Sequence, residues 1–234
     1  MSAKRTLRSG TVRDSPPPPP KRQAVQRANV TTNQEYKYDG VPISLKSKKI
    51  NSCFIDFLDV GLGVDMPNHT ILRILFEHLQ QQNSPYAPAG TRGLLFDIQP
   101  VGNVDDNLID AELRINTITY QGPHIRALHT LQLPVRGNKT ARDFFRVIDD
   151  TNLLPVGYTS TSEDLLGCRD FISQLVYRLD EAGAIRLPAN TIVSVWNSFN
   201  QRYYGDGTSR IDAVGKIAFN DDYVHISIPG IDYA

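Results

Sequence analysis

Residues 165–185, LLGCRDFISQLVYRLDEAGAI, place Cys168, Phe171, Ile172, Leu175, Val176, Leu179 and Ala182 on one helical face. Gly167 precedes this stripe and Gly183 ends it. A helix with so continuous an apolar face must bury it against another layer. The segments around it supply that layer as strands. Ile50 to Val60 alternates, with Cys53, Ile55 and Phe57 on one side and Phe54, Asp56 and Leu58 on the other. Leu94 to Ile98, Ile109 to Tyr120 and Ile125 to Val135 also read as strands, the last two joined at Gln121-Gly122-Pro123. Val214 to Phe219 and Tyr223 to Ile228 predict a closing hairpin over Asn220-Asp221-Asp222.

Three further helices are expected. Asn68 can cap one whose stripe is Ile71, Leu72, Leu75, Phe76 and Leu79. It is followed by a loop from Gln80 to Gly90 that contains Pro85 and Pro88. Thr140 with Asp143 three residues on suggests a capping box for a helix burying Ala141, Phe144, Val147 and Ile148. After Pro188, Ile192, Val195, Trp196, Phe199 and Tyr203 describe another. Strands and helices do not alternate regularly, so the class is α+β: a mainly antiparallel sheet packed with about four helices, in one domain over residues 35–234.

Residues 1–34 lack any such periodicity and read as a disordered, basic, Pro-rich tail. The first thirty residues carry seven Lys or Arg against Asp14 alone, although the whole chain is neutral, so the body is net negative. Pro16 to Pro20 form a polyproline II rod, and Pro17, Pro20 and Arg22 fit a P-x-x-P-x-R arrangement that can dock on an aromatic-lined groove of a protein partner. Lys4-Arg5 and Lys21-Arg22 are basic clusters of the kind a nuclear-import receptor reads. The acidic body argues against extended nucleic-acid binding outside this tail.

Cys53 and Cys168 cannot make a disulfide framework, and no C-x-x-C pair suggests zinc. No apolar run follows the N-terminal charges and none reaches a membrane span, so a cytoplasmic or nuclear protein without metal or cofactor is expected. The sequons at Asn29, Asn68 and Asn138 are then chance matches. Asp105-Asp106, Asp149-Asp150 and Asp221-Asp222 match no calcium loop and suit turns, and the glycines of VGLGVD (60–65) complete no dinucleotide fingerprint. The ring-rich FNQRYYGDGTSR (199–210) can stack on a ligand or base.

Cys168 is the candidate for chemistry. The first turn of a helix and the neighbouring Arg169 favour a thiolate, while its place on the apolar stripe equally suits a small buried hydrophobe. A thiol nucleophile also needs a base. His69 and His78 read as solvated at the polar side or end of the first helix, His225 as facing water, and His124 as lying at the mouth of the central hairpin. His129, sharing a strand face with Ile125, Ala127, Leu131 and Leu133, is the best partner the sequence offers.

GCRDF (167–171), RLDEAGAI (178–185) and VWNSFNQRYY (195–204) resemble motifs of a family of uncharacterised fungal proteins, over the segment Thr91 to Phe219. A strand-borne histidine preceding a helix-capping cysteine is also similar to permuted papain-like folds, including the lecithin retinol acyltransferase group. That resemblance implies a papain-like framework and a cysteine thioester. Where the fungal family opens a strand with His-Trp, this chain has Arg92 and Gly93, and an arginine stays protonated and cannot act as a base. The expectation is therefore a non-enzymatic binding or scaffold module on a catalytically degenerate papain-like framework. The alternative is a cysteine-dependent hydrolase or acyltransferase with Cys168 as nucleophile and His129 as base.

Overall fold

A computed structural model describes residues 34–61, 68–77, 90–101, 108–159, 167–219 and 221–233. Its strands are β1 (Glu35–Lys37), β2 (Ile50–Leu58), β3 (His69–Phe76), β4 (Gly93–Val101), β5 (Leu108–Ile118), β6 (Ala127–Leu133), β7 (Pro155–Thr159), β8 (Gln201–Tyr203), β9 (Ser209–Ile211) and β10 (Ile217–Phe219). The helices are α1 (Ile43–Lys46), α2 (Ala141–Asp150), α3 (Cys168–Glu181) and α4 (Ile192–Phe199). One antiparallel sheet runs β10-β7-β5-β4-β3-β2-β6, with β1 added to β5, and β8 and β9 form a separate hairpin. The α+β class, the mainly antiparallel sheet and the number of helices are those expected, and α2, α3 and α4 fall where the sequence placed them, whereas α1 was not foreseen. The basic clusters Lys4, Arg5, Lys21 and Arg22, the Pro17–Pro20 motif, most of the loop 80–90 and Asp105-Asp106 lie outside the described residues.

The α3 stripe does what its periodicity requires. Phe171, Ile172, Leu175, Val176 and Leu179 are completely buried and join one face of β2 to β5, through Cys53, Ile55, Leu72, Ile74, Phe96 and Ile115, in the main core. A smaller cluster of Leu58, Ile71, Leu75, Leu95 and Ile118 covers the opposite face. The alternation expected of this strand is therefore real from Cys53 onward, with Cys53, Ile55 and Phe57 in the main core and Phe54 and Leu58 behind. At α2, the Asp143 carboxylate accepts from the Thr140 N–H at 2.7 Å and its hydroxyl at 2.9 Å, as the capping reading anticipated.

Four expectations are corrected. Residues 69–76 form a central strand instead of a helix: both faces are covered, so the run TILRILF carries no period-2 signal. The strands after Ile109 and Ile125 do not form a hairpin. β5 lies between β4 and β7, whereas β6 crosses the sheet to pair with β2 on the far side. The last strand is only Ile217–Phe219, which pairs with β7, and residues 223–228 bond to α3 through their side chains and backbone. The fourth helix also stops at Phe199, and Tyr203 belongs to β8.

Candidate active site

Strands β3 and β4 pair along only half their length. The ladder runs from Leu75↔Gly93 to Leu72↔Phe96 and then ends, although β3 continues to His69 beside β2 and β4 continues to Val101 beside β5. At the closed end, Gly93 packs so tightly that a side chain there would collide with the Ile74 carbonyl. At the open end the start of α3 enters the gap. The Thr70 N–H donates to Cys168 Sγ at 3.4 Å, and Cys168 Sγ lies 3.9 Å from the Asn68 carbonyl oxygen. Gly167 makes this entry possible with φ 155° and ψ −25°, a conformation that costs side-chain-bearing residues dearly.

The gap lets groups from opposite sides of the sheet meet. Cys168 arrives on the helix side, while His69 and Asp97 share strand parity with Ile71 and Leu95 of the rear cluster. His69 Nε2 and Asp97 Oδ1 are 2.5 Å apart, and the same imidazole interacts with the Cys168 thiol. Burial alone would push the Cys168 thiol pKa up. The His69 imidazolium and its hydrogen bond, the Thr70 N–H and the Arg169 charge outweigh burial and hold it below the ordinary thiol range. For His69, burial favours the neutral ring, but the Cys168 thiolate and the Asp97 carboxylate reverse this and raise its pKa well above that of an ordinary imidazole. Both shifts favour the thiolate–imidazolium form of the pair, and the sulfur stands at the positive end of a helix fourteen residues long.

The residues adjoining the pair hold one hairpin between them. Asn68, which precedes His69, accepts from the Tyr203 N–H at 2.5 Å and donates to the Tyr203 carbonyl at 3.0 Å. Arg169, which follows Cys168, donates to the Phe199 carbonyl at 3.0 Å and to Asp212 at 2.8 Å, and Arg202 shares the same carboxylate. The ring-rich segment 199–210 thus forms a hairpin fastened beside both reactive groups.

His129 is not brought to Cys168. It lies on β6, two strand spacings from β3 or about 10 Å, and stacks on the Tyr203 ring with centroids 4.3 Å apart. Its pKa is lowered by burial with no charged partner. The imidazole beside Cys168 is that of His69, which a helix over residues 68–79 would turn toward solvent. Arg92 stands at the closed end of the β3–β4 ladder, lining a cavity of about 540 Å³ with Asn51, Phe76 and Glu77, and not at the open end where Cys168 lies. His225 bonds the buried Asp170 carboxylate at 3.0 Å instead of facing water alone. Among the described residues, no group of three or more His, Cys, Asp or Glu side chains could hold a metal ion, and no helix is long and apolar enough to cross a membrane. No family model, curated protein or solved structure matches the chain.

Proposed function

We propose that this protein is a cysteine-dependent acyl-transfer enzyme, a hydrolase or acyltransferase, in which Cys168 is the nucleophile, His69 the acid–base group and Asp97 the residue that orients and charges the ring. The observation that carries the reading is the alignment of a helix-start thiol, an imidazole and a carboxylate across the opened β3–β4 seam. The chain order, with a strand histidine before a helix cysteine, is similar to that of permuted papain-like folds and supports the reading.

The chemistry balances with these groups alone. The Cys168 thiolate attacks an acyl carbonyl carbon, an S–C bond forms, and the carbonyl π electrons move to oxygen. Collapse of that adduct expels the leaving group, which takes a proton from His69, and a thioester remains. His69, now neutral, removes a proton from water or an acceptor alcohol or amine as it attacks the thioester, and the thiolate departs beside the restored imidazolium. Acid–base assistance of this kind contributes about 10²–10⁴ in rate. The test is p-nitrophenyl acetate with the full chain. One acetyl group should appear transiently on Cys168 by peptide mass spectrometry, and it should be absent in Cys168→Ser and His69→Ala. A chain that is never acetylated refutes the reading.

One observation favours a binding or scaffold module instead: Cys168 is only 7% exposed, so a substrate must reach it from the side of His69, whose side chain is 28% exposed. In that case the thiol stays inert to the ester and the pair serves to lock α3 into the seam. Import into the nucleus through Lys4-Arg5 and Lys21-Arg22 is a separate part of the proposal. A reporter fused to residues 1–30 should accumulate in nuclei, and uniform distribution removes that part.

A further inference from the structure

We infer that Gln99 is a positioning residue for this site: its amide fixes the Asp97 carboxylate against His69 without neutralising it. The inference rests on Cys168 and His69 being the reactive pair. Gln99 Nε2 donates to Asp97 Oδ2 at 3.0 Å while the other oxygen, Oδ1, faces His69 Nε2 at 2.5 Å. A carboxylate held at one oxygen can still turn, because the terminal torsion of aspartate lies in a broad well. A second bond at the other oxygen removes that freedom. Gln99 and Asp97 are two residues apart on β4, hence on one face, and extending the β3–β4 register past Leu72 would set Gln99 opposite His69.

The neighbouring charges are engaged elsewhere, which is why a neutral donor does this work. Arg114 stands opposite Asp97 on β5, yet its guanidinium bonds Glu112 at 2.6 Å and Glu35 at 3.1 Å. Glu112, opposite Gln99, is also bonded by Lys37 at 3.3 Å. Arg73, on the same face, is tied to Asp56, and His124 sits among these charges from the loop after β5. A cation on Asp97 would stand close to the imidazolium and oppose its protonation. An amide orients the carboxylate and leaves its full charge to His69.

Gln99→Met removes the donor at similar length, and Gln99→Lys keeps a donor but sets a cation beside Asp97. In the full chain, both should lower the titration midpoint of the His69 ring, read by NMR and assigned with His69→Gln. The expected fall is about one unit, a tenfold change in the protonation equilibrium. Both should also raise the pH at which iodoacetamide labels Cys168 at half its maximal rate. A merely structural glutamine would change the melting temperature and leave both midpoints in place. Thermal melts identify a variant that fails to fold, and the other then carries the test. Wild-type midpoints in a folded variant, in a protein where Asp97→Asn does shift them, overturn the role of Gln99 and leave the reactive pair standing. If neither Asp97→Asn nor His69→Gln changes the labelling of Cys168, the pair itself fails and Gln99 with it.

Discussion

Cys53 and Cys168 are both buried and both near a charged pair, yet their thiols are driven in opposite directions. Cys53 lies on β2 with no exposure, and burial holds its pKa far above the ordinary thiol range. The Arg73 and Asp56 charges in its surroundings act on it with opposite signs. At Cys168 the same burial is overcome, because the His69 charge acts directly on the sulfur and a backbone N–H points at it. Burial alone therefore says little about a thiol. The decisive difference is an imidazole within reach, which the opened seam supplies to one cysteine and the closed ladder denies to the other.

The strongest way to break this comparison is to disturb the sealed pair near Cys53. Arg73 and Asp56 are completely buried, joined at 2.7 Å, with Thr130 donating to Asp56 at 2.7 Å and the Phe54 ring 4.3 Å from the guanidinium. Asp56→Ala leaves a buried cation uncompensated, so chemical denaturation should reveal a loss of about 3–5 kcal/mol. A loss below about 1 kcal/mol would mean that water reaches this pair, and the contrast between a sealed and an open region would collapse.

The second test concerns reactivity. Iodoacetamide should label wild-type Cys168 at neutral pH and spare Cys53. The sign follows from the shifts: Cys168 is a thiolate above its lowered pKa, so its labelling rises with pH well before that of an ordinary thiol. In His69→Ala burial is left as the largest influence and raises the pKa, so labelling at pH 6–7 should fall by an order of magnitude or more. Equal rates for the two cysteines, measured by peptide mass spectrometry, would show that the seam confers no reactivity.

The sequence made one half of this pair legible and hid the other. Cys168 was readable because a helix with one buried face keeps its periodicity, and Gly167 and Gly183 mark its ends. His69 was not, because residues 70–76 are buried on both sides of a central strand. Their apolar run then fits a helical stripe as well as a strand, and Asn68 imitates a helix cap while its side chain actually holds Tyr203. The β-branched Thr70, Ile71 and Ile74 and the modest length of the run were the available signals for a strand. Asp97 could not be found at all from sequence, since its role depends on where a ladder stops. His129 was favoured because it sits among apolar residues on a strand, a pattern that the stacking with Tyr203 explains without chemistry.

The smallest expected effect asks whether each sulfur matters for packing. Cys53 has no exposure and belongs to the main core, so Cys53→Ala leaves a small cavity and should cost about 1 kcal/mol, near the centre of the range for point substitutions. Cys168 is outside both apolar clusters and lies in the seam, where it meets the Thr70 N–H, the Asn68 carbonyl and the His69 ring. Removing its sulfur takes away little packing. It also relieves the burial of a thiolate, while His69 keeps its bond to Asp97. Cys168→Ala, which leaves the Thr70 N–H without its sulfur acceptor but removes little apolar contact, should therefore cost less than Cys53→Ala despite its low exposure. Urea melts of the two variants in parallel decide the matter. If Cys168→Ala costs as much as Cys53→Ala, the thiol works as core in both places and the functional reading of the seam loses its support.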